Sequence, residues 1–359
     1  MGVNLYSHDI IDLSTPANIA NHIKYNLDVH SSIDVNYSFE DLCPLSESQL
    51  NVYLDESVNE MGTSYNNPFK IEFDEHYSTD EIKSAIGKLL QVHPVLSARV
   101  INDGETLSFS FDAKPEIIEG SKNDINSFIR PFELDECLSR FLIVENDESN
   151  CLYVDFHHLI LDGSSANIVL DNLLSILEGG DVDFVDNGIL RQISFEENIP
   201  PNYMEDAHEF FDSMLADRDE VYELLPSIES DEDFEHLDIF DVNDDDLNSF
   251  LNNHSLTHNR LFASVFAYTL SRFTGSSKVL FNLIEDGRGH IDLSKSVGMF
   301  VRTLPVLIDC KNQEVSSFLD YSGDLVNSVM KSDLYPFRLL AKQYDLNSDI
   351  LFQYSYDLF

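Results

Sequence analysis

The run from Leu152 to Gly180 constrains the fold most. Leu152-Tyr153-Val154-Asp155-Phe156 has the alternation of a half-buried strand, and His157-His158-Leu159-Ile160-Leu161-Asp162-Gly163 follows at once. Beyond it Val169, Leu173, Ile176 and Leu177 recur at helical spacing, and Gly179-Gly180 stops them. A strand, a short loop and a helix must therefore follow one another. Ser164 or Ser165 is the expected cap of that helix.

Side chains alternate along a strand. Leu152, Val154 and Phe156 share one face, and His158 shares it if the strand continues; His157 falls with Tyr153 and Asp155. His158 is therefore the expected inward histidine. A histidine pair, a carboxylate four residues on and a glycine at a helix start suit acyl transfer. The imidazole handles a proton, and the positive end of the helix faces developing negative charge.

Composition excludes several classes. The 65 acidic and 21 basic residues give a net charge of −44, which repels nucleic acid and anionic membrane. No apolar run is long enough to span a membrane. Neither a signal peptide nor a metal-type cysteine pair is visible: Cys43, Cys137, Cys151 and Cys310 stand far apart, which fits a reducing cytoplasm. Asp241-Val242-Asn243-Asp244-Asp245 lacks the turn glycine and closing glutamate of a calcium loop, so no metal is expected.

The rest reads as α+β. Residues 1–27 look like a small helical piece and 28–40 like a linker. Capping boxes at Ser46-Glu47-Ser48-Gln49 and Ser78-Thr79-Asp80-Glu81 open two helices, the second lined by Ile82, Ala85, Ile86, Leu89 and Leu90. Phe69, Ile71 and Phe73 mark a strand, and Asp103-Gly104 joins two more. A helix is expected over Met204–Leu215, a long buried one over Leu256–Arg272 and a strand over Val279–Ile284.

In order, several segments resemble the motifs of a condensation domain of a nonribosomal peptide synthetase. They are Cys43-Pro44-Leu45-Ser46-Glu47-Ser48-Gln49, His93-Pro94-Val95-Leu96-Ser97-Ala98-Arg99, Pro131-Phe132-Glu133-Leu134 with Arg140, and His157 to Gly163. Gly287-Arg288, Gly298-Met299-Phe300-Val301-Arg302-Thr303-Leu304-Pro305 and Ile350-Leu351-Phe352-Gln353 complete the series. Residues 1–27 resemble the last helices of a carrier protein without its phosphopantetheine serine. The resemblance implies two chloramphenicol-acetyltransferase-like lobes in a V, over 41–190 and 191–359. Because the chain stops soon after the last motif, an incomplete second lobe is expected. Arg302 departs from the family, which often has Asn there.

The implied chemistry joins two acyl groups as an amide. Donor and acceptor carrier proteins deliver them on phosphopantetheine arms, beside an adenylation domain of the same synthetase; no cofactor is bound by the chain itself. His158 takes the proton of the attacking amine or holds that amine, and both remain open. The backbone N–H of Gly163 is the candidate oxyanion donor, and His157 supports the loop. Asp162 is expected as a scaffold paired with Arg288, or else Arg99, whose bidentate geometry would lock the loop between lobes. Phe300 and Thr303 are implied at the substrate. His290 is expected to face solvent. Two other functions compete: a free-standing acyltransferase using coenzyme A or a soluble carrier, and a platform that binds carriers without turnover.

Overall fold

A computed structural model describes residues 34–59, 62–73, 77–145, 150–180, 182–218, 243–254, 256–311, 314–347 and 350–354. The expected carrier-like piece at 1–27 lies outside them. The described residues through Ile199, together with Asp286–Val301, form one compact unit; the described residues of Pro200–Glu285 and those from Arg302 on form a second.

The first unit begins with β1 (Cys43–Pro44), α1 (Glu47–Asn59) and β2 (Asn66–Glu72). Next come α2 (Thr79–Val92), β3 (Arg99–Asn102), β4 (Leu107–Ser110) and β5 (Glu116–Gly120). The short helix α3 (Ile125–Phe128), β6 (Ser139–Val144), β7 (Cys151–His157), α4 (Gly163–Leu177) and α5 (Gly188–Glu196) complete it. Both expected capping boxes are present. Ser46 and Gln49 exchange side chain-to-backbone bonds at α1, and Ser78 and Glu81 do so at α2. Asp103-Gly104 turns β3 back onto β4, which pairs in turn with β1.

The four-stranded sheet has the order β2-β7-β6-β5, so the strand leading to the histidines is interior. Over its whole length β7 pairs antiparallel with β2, and β6 flanks it on the other side from Ser139 to Val144. Leu152, Val154 and Phe156 enter the main core with Ile82, Ile86 and Leu89 of α2 and Val169 and Leu173 of α4. The opposite face is buried as well. Asp155 and His157 are at most 1% exposed, and Tyr153 packs in a small cluster with Phe128 and Leu142. A strand with two buried faces is a rigid support for a reactive group. The described end of the expected linker is tied down, since Asn36 and Tyr37 both bond Glu197 just beyond α5.

In the second unit α6 (Pro201–Leu215), α7 (Asp244–His254) and α8 (His258–Thr274) precede β8 (Lys278–Glu285) and β9 (Arg302–Asp309). They are followed by α9 (Val315–Lys331), α10 (Phe337–Tyr344) and β10 (Leu351–Gln353). β8 lies between β10, parallel to it, and β9, antiparallel. The helix expected to be buried throughout, α8, buries one face only: Val265 and Tyr268 are about half exposed and Phe273 more so. Its apolar residues exceed what one stripe needs, so composition overstated its burial.

Candidate active site

β7 ends at His157, and the chain turns immediately. The condition that placed His158 inward therefore fails: His157 is 1% exposed, whereas His158 is partly exposed. The His158 backbone N–H still donates to the Tyr65 carbonyl at 2.8 Å, fixing the first residue of the turn. Its Nδ1 is buried without a hydrogen-bond partner. Burial pushes the His158 imidazole below its ordinary value, opposed by nearby carbonyls and the Asp162 carboxylate. Burial thus favours the neutral ring, whose unprotonated nitrogen carries a lone pair.

His157 lies in a closed cage. Its Nδ1 accepts the Leu159 N–H at 3.1 Å, Nε2 lies 3.0 Å from Glu56 Oε2, and Phe132 meets the ring edge-on. Next along this face, Arg140 bonds Asp155 through Nε and Nη2 at 3.0 and 2.8 Å, with its guanidinium over the Phe132 ring.

Asp162, not Ser164 or Ser165, caps α4: its Oδ1 accepts the Ser165 N–H at 2.8 Å. An aspartate followed three residues on by a backbone donor is an ordinary N-cap, and the serines inside the first turn are already helical. Asp162 Oδ2 accepts the Phe300 N–H, and Arg288 Nη2 reaches both carboxylate oxygens at 2.8 and 3.1 Å. The expected bidentate fork is thus replaced by one shared nitrogen. Arg288 Nη1 instead binds the carbonyls of Leu293 and Ser296. Nor does this pair join two lobes, because Arg288 belongs to the same unit as Asp162.

The segment Asp286–Val301 has no strand ladder, and side chains hold its backbone. The Ser165 hydroxyl donates to the Gly298 carbonyl and accepts the Gly298 N–H; Ser48 bonds the Phe300 carbonyl. Asp186, itself bonded to the buried His93, accepts the Val297 N–H. Gly287 is required here. Its φ is +67°, and an added Cβ would lie 1.8 Å from the Phe300 carbonyl oxygen.

Other expected residues lie elsewhere. Arg99 pairs with Asp112 at 2.8 Å, across the β3–β4 hairpin, so it is not the partner of Asp162. Phe300 is fully buried with Arg288 stacked over its ring, a packing position that leaves no face for a substrate. Thr303 sits half-buried on β9 in the second unit. Arg302, the departure from the family pattern, is buried in an ion pair with Asp333. His290 is half-buried and stacked on Phe195 instead of facing solvent. Gly163 stands at the first position of α4, exposed, with nothing within 4 Å of an added Cβ. Ser165 and Gln49 were missed as site residues. The signals were the place of Ser165 in the first turn of the motif helix and that of Gln49 in the Ser46 capping box.

Solved structures share this architecture. The condensation domain from monacolin K polyketide synthase matches with a TM-score of 0.69 at 15% identity, over 87% of this chain and 78% of that one. The first condensation domain of the calcium-dependent antibiotic synthetase, in complex with a substrate analogue, matches with 0.67 at 16% identity, over 87% and 79%. The fold is therefore the α+β, chloramphenicol-acetyltransferase-like one. Among curated relatives, surfactin synthase subunit 2 of Bacillus subtilis (strain 168) is 24% identical over 340 residues, 87% of this chain and 9% of that protein. Bacitracin synthase 2 of Bacillus licheniformis is 24% identical over 327 residues, 86% and 12%. The chain thus spans about a tenth of the length of these relatives. A profile of the condensation domain matches residues 39–358, and the chain belongs to the condensation-domain family.

Proposed function

We propose that this chain forms an amide between two acyl groups presented as thioesters by a donor and an acceptor carrier protein, within a nonribosomal peptide synthetase that also holds an adenylation domain. One observation carries the reading: His158, its Nδ1 buried without a hydrogen-bond partner, stands just past the end of a doubly buried strand. The acceptor amine attacks the donor thioester carbonyl, the C–N bond forms and the C–S bond breaks. The amine proton leaves through His158 and ends on the departing thiolate. A free α-amine titrates near ~8, so no strong base is needed and orientation supplies most of the effect.

The oxyanion calls for donors, and the Gly163 N–H at the start of a 15-residue helix supplies one along with the helix dipole. The open space over Gly163 lets a carbonyl approach the backbone. Asp162 contributes as a scaffold, since both its oxygens are already engaged by Ser165, Phe300 and Arg288. The phosphopantetheine arms belong to the carriers and are substrates here. Among the described residues no helix is long and apolar enough to cross a membrane.

A platform without turnover is the second reading. The fold is equally shared with an X-domain solved in complex with OxyB, TM-score 0.69 at 14% identity. Fold alone does not separate the two, and the intact histidine pair favours catalysis. The test is a single turnover with loaded donor and acceptor carriers, read as the joined product by intact mass. Wild-type product that disappears in His158→Ala, with the fold retained, supports catalysis. A folded, carrier-binding chain that makes no product favours the platform.

A further inference from the structure

One face of α1 holds the histidine turn. Gln49 and Glu56 are seven residues apart, two helical turns, and so project from the same side with the buried Val52 between them. Gln49 Nε2 donates to the Leu159 carbonyl at 3.0 Å, while the Leu159 N–H donates to His157 Nδ1. Both backbone polar groups of Leu159 are therefore fixed, its carbonyl directly by α1 and its N–H by His157.

The remaining nitrogen of His157 decides its proton. A ring nitrogen that accepts an N–H cannot itself carry a proton, so Nδ1 is unprotonated and the proton of the neutral ring sits on Nε2. Nε2 lies 3.0 Å from Glu56 Oε2, close enough for an ion-pair contact but outside hydrogen-bond geometry; both atoms are buried, and neither has a hydrogen-bond partner. A buried N–H and a buried carboxylate oxygen at this separation satisfy each other or remain costly orphans. The neighbouring Asp55 accepts the Tyr65 hydroxyl at 2.6 Å, and the Tyr65 carbonyl holds the His158 N–H. Adjacent acids of α1 thus brace both histidines.

We propose that Glu56 is a positioning residue, which keeps the His157 proton on Nε2 and thereby holds the Leu159 amide and the turn that presents His158. The link to rate rests on the amide-forming reading above; the protonation pattern does not.

The first measurement is the tautomer of His157, by long-range proton–nitrogen NMR on the full chain labelled at histidine. The expected result is a neutral ring protonated at Nε2; a proton on Nδ1 would overturn the proposal. Glu56→Ala is then expected to lower the saturating single-turnover rate roughly tenfold or more, with half-saturating carrier concentration unchanged. Glu56→Gln, whose amide oxygen still accepts, should restore most of the rate. An unaltered rate and tautomer in Glu56→Ala would overturn the role. A wild-type chain inactive toward carriers yet protonated at Nε2 removes the functional reading and leaves Glu56 as the partner that sets the tautomer.

Discussion

Two buried arginine–aspartate pairs flank the histidines, and the same chemistry does different work in each. Arg140 and Asp155 face each other across β6 and β7 in direct register. The backbone ladder would hold these residues beside each other without their charges. Burial pushes the Asp155 carboxyl up and the Arg140 guanidinium down despite their contact, so desolvation outweighs attraction there. Arg288 and Asp162 are 126 positions apart and have no ladder between them. Their contact, with the bonds each makes to backbone groups, helps fasten Asp286–Val301 to the start of α4, alongside the bonds of Ser165 and of the Asp162 N–H to Gly298. A buried ion pair is weak support where a sheet already exists and strong support where backbone groups depend on it.

The largest expected effect breaks the comparison at both places. Replacing the loop pair together (Asp162→Leu with Arg288→Met) leaves the Ser165 and Phe300 amides without acceptors, and should cost roughly 3–6 kcal/mol. Replacing the ladder pair (Arg140→Met with Asp155→Leu) should change stability by less than about 2 kcal/mol, because Asn66 and the Arg130 carbonyl keep each other. Urea unfolding checks both; equal losses would end the distinction.

A smaller effect tests the loop anchor through its backbone. Gly287→Ala must displace the Phe300 carbonyl from an already left-handed residue, at a cost on the order of 1–3 kcal/mol. Gly104→Ala shares the positive φ, +88°, but meets nothing within 4 Å, so about 1 kcal/mol is expected. Thermal melts of the two should differ in that order; the same melting temperature for both would deny the segment its close packing.

The smallest effect separates His158 from both pairs. Its NMR titration midpoint should fall below the ordinary imidazole value of about 6.5. The folded state then binds fewer protons than the unfolded chain, so stability is full above pH ~6.5 and declines as pH falls toward the lowered midpoint. His158→Gln should remove that slope. A midpoint at or above the ordinary value would mean that burial does not control this ring.

Much of the first unit was legible. The two capping boxes, the stripe from Ile82 to Leu89, the Asp103-Gly104 hairpin and the strand–motif–helix order depend on neighbours within a few residues, and the structure repeats them. What failed depended on a single step of geometry. Ending β7 at His157 took His158 off the core face, and the burial of the opposite face of the strand enclosed His157. Arg288 was the partner the family resemblance implied and Arg99 the alternative, and packing decided for Arg288.

The sequence by itself determined the elements, the motif and its chemistry, because helix and strand periods, caps and turns are local. Tertiary structure decided which histidine is enclosed, that Asp162 caps α4 while gripping Arg288, and that Gln49 and Glu56 brace the turn. Those outcomes pair residues up to 138 positions apart, as in the Phe300 amide on Asp162. Burial in one core, and the need to satisfy every polar group carried into it, selects such partners, and no local pattern encodes that requirement.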